Sequence, residues 1–112
     1  WVAMKPGRTA IAVDRDAPTL DWARRRAEAL LGPLARRVSF HACDVLDLAP
    51  PACPAADIIS ALNFSACYFH KRDALLAYLR HARACLAPGG VLAVNTFGGE
   101  EASAPGVTTH EV

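Results

Sequence analysis

Four short apolar runs constrain this chain more than any other feature, the first three each followed at once by a polar side chain: Thr9 to Val13, Val38 to Cys43, Ile58 to Leu62 and Val91 to Thr96. Bounded runs of this length read as strands. Between the first and second, Asp16 is placed to cap a helix with Pro18 in its first turn. That helix sets Leu20, Ala23, Ala27, Leu30 and Leu31 on one stripe, turns Arg24, Arg25 and Glu28 away, and stops at Gly32-Pro33. A second helix, Lys71 to Leu86, points Leu75, Leu79, Ala82 and Leu86 inward and is halted by Pro88-Gly89-Gly90. Strands separated by helices make a parallel sheet, because parallel neighbours need long crossovers and helices supply them. The predicted fold class is therefore α/β, a mostly parallel sheet with flanking helices.

The rest of the chain adds little regular structure. Trp1 to Met4 reads as the tail of a helix before a Pro6-Gly7 turn, Leu48 to Ala55 as a loop rich in Pro and Ala, and residues 100–112 as an irregular tail. With 112 residues the expectation is a single domain, and 53% hydrophobic residues suffice for a real core. Twelve basic against eleven acidic residues give a net charge of +1, too little to hold nucleic acid or an anionic membrane. The basic spots Arg24 to Arg26 and Arg36 to Arg37 read as solvated faces. No apolar run approaches a membrane span and no secretion signal opens the chain, so a cytoplasmic address is expected. Cys43, Cys53, Cys67 and Cys85 form no Cys-x-x-Cys pair, and His41, Cys43 and Cys53 lack zinc-ligand spacing. They read as mostly buried thiols, with no metal site.

In open parallel sheets a ligand sits outside the carboxyl ends of the strands, so the residues just after each run carry the functional signal. After the first three runs these are Asp14, Asp44 and Asn63. Asp57 is expected to open its strand and so to lie at the opposite edge in a turn or capping role. One carboxylate can accept from both hydroxyls of a ribose, and a second, one strand along, can accept from an exocyclic amino group such as that of adenine. The pattern suits an adenosine-containing cofactor.

Taken together, AIAVDRD, FHACDVLDL, ADIISALNFSACYF and CLAPGGVLAVNTFGG resemble the middle and later part of a class I S-adenosylmethionine-dependent methyltransferase, from about Thr9 to Gly99. The most specific piece is LAPGGVLAV, Leu86 to Val94. The resemblance implies a Rossmann-like fold with S-adenosyl-L-methionine as cofactor, and methyl transfer to an acceptor that the sequence leaves unknown. It further implies that Asp14 holds the cofactor ribose with Arg15 beside it. Asp44 would stand near the adenine amino group, with the Val45 backbone N–H at the ring. Asn63 and Phe64 would lie close to the methionine part, and Tyr68 and Phe69 on the substrate side of the pocket. His70 is the nearest base in sequence, but its place at a helix start keeps it out of the catalytic set.

The departures from the family are equally specific. No G-x-G precedes Asp14, where the family has a glycine-rich loop after its first strand, and the family's last strands are not recognisable after Gly99. The expectation is a partial methyltransferase domain of a larger enzyme, inactive alone, with the first and last strands missing. In the doubly wound order the first strand lies between the second and the fourth. Without it, the strands ending at Asp14 and Asn63 either pair directly or leave backbone groups unpaired at costly positions. Poor autonomous stability is expected. Two alternatives stay open. A nicotinamide-dependent short-chain dehydrogenase also carries acids at these strand ends, although Tyr68 and Lys71 lack that family's Tyr-x-x-x-Lys spacing. A non-catalytic Rossmann-like remnant would keep the fold without the chemistry.

Overall fold

The computed structural model describes residues 1–48, 53–96 and 98. Its elements follow the order β1 (Ala10–Asp14), α1 (Ala17–Leu31), a 3-10 turn (Gly32–Arg37), β2 (Val38–Ala42), β3 (Ala56–Ala61), a second 3-10 turn (Ser65–Tyr68), α2 (Arg72–Cys85) and β4 (Leu86–Val94). The chain is α/β with parallel strand pairs, and it divides into two compact units, Trp1–Ala52 and Cys53–Val112. Each contains one strand–helix–strand crossover. The expected tail over residues 100–112, and much of the loop expected from Leu48 to Ala55, lie outside the described residues.

In the first unit, β1 and β2 pair in unbroken register from Ala10↔Val38 to Asp14↔Ala42. The ladder runs one step further, since the Cys43 amide donates to the Asp14 carbonyl at 3.0 Å. Asp16 caps α1 as its sequence position requires: its Oδ2 accepts from the Thr19 amide at 3.0 Å and also from the Thr19 hydroxyl. Leu20 is buried and Ala23, Ala27 and Leu31 are half-buried, but Leu30 is 67% exposed. At 100° per residue Leu30 stands about 80° around the helix from Leu20, outside the stripe that a sheet of two strands can cover. Trp1 to Met4 form a turn rather than the tail of a helix, with the Met4 amide bonding the Trp1 carbonyl at 3.1 Å. The Arg8 guanidinium lies 3.8 Å from the centre of the Trp1 ring, a cation–π contact that secures this turn.

The second unit holds the better-formed core. Ala61, Ala66 and Tyr78 are buried together, with Phe69, Leu75, Leu92 and Val94 packed against them. The Phe69 and Tyr78 rings stack with centroids 4.7 Å apart and planes 24° from parallel. Ala82 is buried on α2 as expected, whereas Leu79 is 37% exposed because Tyr78, one residue earlier, takes the inward direction. Asp57 does not open its strand. β3 starts at Ala56, which pairs with Leu86, and Asp57 lies inside the strand with its side chain exposed. That first pairing was hidden in the sequence because Ala56 and Asp57 extend no apolar run.

The Pro88-Gly89-Gly90 signal also acts differently from a simple helix stop. α2 ends at Cys85, β4 begins at Leu86, and the three residues form an irregularity inside the strand: β3 advances from Ala56 to Ile58 while β4 advances from Leu86 to Val91. Gly89 takes φ +78°. At Gly90 an added Cβ would stand 2.9 Å from the Ala87 carbonyl oxygen and 3.0 Å from that of Ala56, so only glycine allows the two strands this approach.

Among the described residues β1 pairs with β2 and β3 with β4, and no ladder joins one pair to the other. Among the described residues the strands that lead to Asp14 and Asn63 do not pair directly. Among the described residues no large side chain is sealed from solvent, and Ile58 and Val91, register partners in the second sheet, are 48% and 58% exposed.

Candidate functional site

Parallel pairing brings the ends of β1 and β2 to one edge, and with them the first two strand-end acids. Asp14 closes β1; its Oδ1 accepts the Asp16 amide at 2.9 Å in an Asx turn. That bond uses one oxygen. Asp44 repeats the arrangement after β2, with Oδ1 accepting the Leu46 amide at 3.0 Å and a turn closed by the Asp47 amide on the Asp44 carbonyl, also 3.0 Å. Arg15 reaches across from the β1 turn to Asp44 Oδ2 at 3.6 Å, an ion pair exposed on both sides and worth little in stability. Asp14, Arg15, Asp44 and Val45 thus form one exposed rim, each carboxylate aimed by a local backbone turn.

The two aspartates differ at their second oxygen. The Asx turn engages Oδ1 of Asp14 and not Oδ2. Asp44 Oδ2 instead faces the Arg15 guanidinium. Val45 is 38% exposed within the turn that follows Asp44.

Asn63 and Phe64 belong to the second unit. They follow β3 and both adopt the left-handed conformation, at φ 61° and 58°. Asn tolerates that region, but for Phe it is a strained choice that costs on the order of 1 kcal/mol or more. The strain is held in place by three contacts. The Phe64 amide donates to Asn95 Oδ1 at 2.9 Å, the Cys67 amide donates to the Phe64 carbonyl at 2.8 Å, and the Ser65 hydroxyl donates to the Leu62 carbonyl at 2.6 Å. Phe64 is left 44% exposed.

Asn95 is the residue that sequence reasoning missed. It stands immediately after β4, so the rule that singled out Asp14, Asp44 and Asn63 also selects it once the strand is ended at Val94 rather than Thr96. The two aromatics proposed for the substrate side separate: Phe69 packs into the core against Tyr78, while Tyr68 is 79% exposed. His70 is exposed at the approach to α2.

Other features lie away from these ends. A shallow depression of about 490 Å³ lined by Arg24, Glu28, Arg36, Val38 and Phe40 opens between α1, the first 3-10 turn and β2, and contains none of the strand-end residues. All four cysteines are thiols: Cys53 is buried, Cys43 and Cys85 are half-buried and Cys67 is exposed, so fewer are buried than expected. Among the described residues no three His, Cys, Asp or Glu side chains are grouped to hold a metal ion, and no helix is long and apolar enough to cross a membrane. No protein-family model matches the chain, and comparison with curated proteins yields no match.

Proposed function

We propose that the chain is part of a Rossmann-like, S-adenosylmethionine-dependent methyltransferase, and that Asp14, Arg15, Asp44 and Val45 hold the adenosine portion of the cofactor. The observation that carries this reading is the pair of aspartates at the carboxyl ends of adjacent parallel strands, each aimed by its own Asx-type turn. Asp14 Oδ2 takes the ribose diol, and the Val45 amide with Asp44 takes the edge of the base. Within the first unit, the parallel pairing of β1 with β2 brings both acids to the edge where ligands of open parallel sheets sit.

The cofactor, when bound, supplies an electrophilic methyl group on a sulfonium. The protein's part is positioning and exclusion of water. Phe64, fixed by the Asn95 contact, leaves an aromatic side chain exposed on the second unit. Asn63 offers a carboxamide on the same turn. The acceptor, a small molecule or another group, is left undefined by these residues.

Backbone amide shifts of the 112-residue chain, titrated with S-adenosylhomocysteine and with NAD, test the proposal. Millimolar S-adenosylhomocysteine is expected to move the amides of Asp14 to Asp16 and Cys43 to Leu46, with Asp14→Ala abolishing the response. A response to NAD alone assigns the rim to a nicotinamide-dependent dehydrogenase instead. Silence with both ligands leaves a fold without cofactor chemistry.

A further inference from the structure

The second unit carries a pair of thiols at the end of its sheet opposite the strand-end carboxamides. β3 and β4 begin together, with Ala56 the register partner of Leu86. Cys85 is the last residue of α2 and directly precedes Leu86; Cys53 lies three residues ahead of Ala56 and is only 9% exposed. The strand pairing therefore draws both cysteines to one end of the sheet from separate parts of the chain. Burial raises the Cys85 thiol above its ordinary value, and a charge on Cys53 raises it further. Cys85 Sγ lies 3.7 Å from His81 Nε2, one helical turn earlier on α2, and the Cys53 thiol donates to the Pro54 carbonyl at 3.4 Å.

We propose that Cys53 and Cys85 form a reversible disulfide that locks the paired starts of β3 and β4 under oxidising conditions. The oxidant is a low-molecular-weight disulfide. Cys85 passes its proton to His81 Nε2, and its thiolate attacks one sulfur of the oxidant, forming a mixed disulfide and expelling a thiolate. Cys53, deprotonated in turn, attacks the Cys85 sulfur and expels the second thiolate. The released thiolates take up the two protons, so two protein thiols and one small disulfide become one protein disulfide and two small thiols. The two electrons lost by the protein reduce the oxidant. Burial holds both thiols back from casual reaction, while the His81 contact gives Cys85 a proton acceptor that neither Cys43 nor Cys67 is seen to have among the described residues.

The bridge closes a long loop in the reduced chain, which restrains the unfolded state and slows opening of the second unit. Incubation of the full chain with oxidised glutathione, alkylation of the remaining thiols and peptide mapping tests this without any substitution. The expected result is a Cys53–Cys85 linked peptide, with Cys43 and Cys67 alkylated. Amides of β3 and β4 then exchange at least about tenfold more slowly in the oxidised chain, and the effect is reversed by dithiothreitol. Cys85→Ser should abolish both the linked peptide and the slowed exchange. Glutathione retained on Cys85 beside an alkylated Cys53, a bridge from Cys53 to Cys43 or Cys67, or no oxidation at all would overturn the proposal.

Discussion

The two units build their strand ends by different means. In the first, β1 and β2 pair without a break and both acids are held by bonds to amides two residues further on. In the second, β4 carries the Pro88-Gly89-Gly90 irregularity, and the left-handed Asn63-Phe64 turn is fixed by Asn95, 31 residues away in sequence from Phe64. A local turn can form whenever its few residues are in place, whereas the Asn95 contact exists only while β3 and β4 are paired. The first rim should thus survive perturbation of the core, and the second should not.

The largest test is Tyr78→Ala. It removes the stacked ring at the centre of the second unit's cluster, and loss of a buried aromatic costs roughly 3 kcal/mol or more. In a chain with so little buried surface this should unfold the second unit in a urea titration followed by amide signals, and with it the Asn63-Phe64 turn. The Asp14 and Asp44 turns should keep their native shifts; joint loss of both rims would show that the units fold as one.

Gly90→Ala comes next. Its Cβ would press on two backbone carbonyls, an overpacking cost of about 1–3 kcal/mol confined to the β3–β4 pair. Hydrogen exchange should accelerate from Ala56 to Ala61 and remain unchanged from Ala10 to Asp14. In the first unit, Asp16→Ala deletes the α1 cap at a cost of about 1 kcal/mol, visible as fraying of the amides at Thr19 and Leu20. Unaltered exchange at those amides would deny the side chain its capping role.

Alkaline pH separates the units without mutation. Burial raises both the Tyr78 phenol and the Cys85 thiol above their ordinary values of 10.0 and 9.0. Both are neutral when protonated, so the folded state binds these protons more tightly than the unfolded one. Their contribution is complete below the ordinary values and is lost as pH climbs through the raised ones. The urea midpoint of the second unit should therefore fall above about pH 10 while that of the first is less affected. The smallest effect is expected from Phe64→Gly, which relieves the left-handed strain and should stabilise the turn by up to about 1 kcal/mol if lost side-chain contacts do not offset it.

The features legible in advance were those with local causes. The Asp16 cap, the helix stop at Gly32, the α/β alternation and the polar residues after the strands follow from neighbours within a turn or two. Errors arose where a distant partner chose. Leu30 lies at the margin of its stripe, where the width of the underlying sheet decided against it, and Leu79 gave way to Tyr78, which the second unit's core drew inward. Asp57 was drawn into β3 by the pairing of Ala56 with Leu86, and Phe69 was turned to the core by Tyr78. Asn95 was hidden by extending the last strand two residues too far.

By itself the sequence determined which segments become strands and helices, and that acids or carboxamides stand where those strands end, because periodicity and capping act over a few residues. Tertiary structure alone decided that β1 pairs with β2 and β3 with β4, that Phe64 is held in a strained turn by Asn95, and that Cys53 and Cys85 come to the same end of a sheet. Those outcomes depend on hydrogen bonds and packing between residues far apart in the chain, whose partners no local pattern specifies.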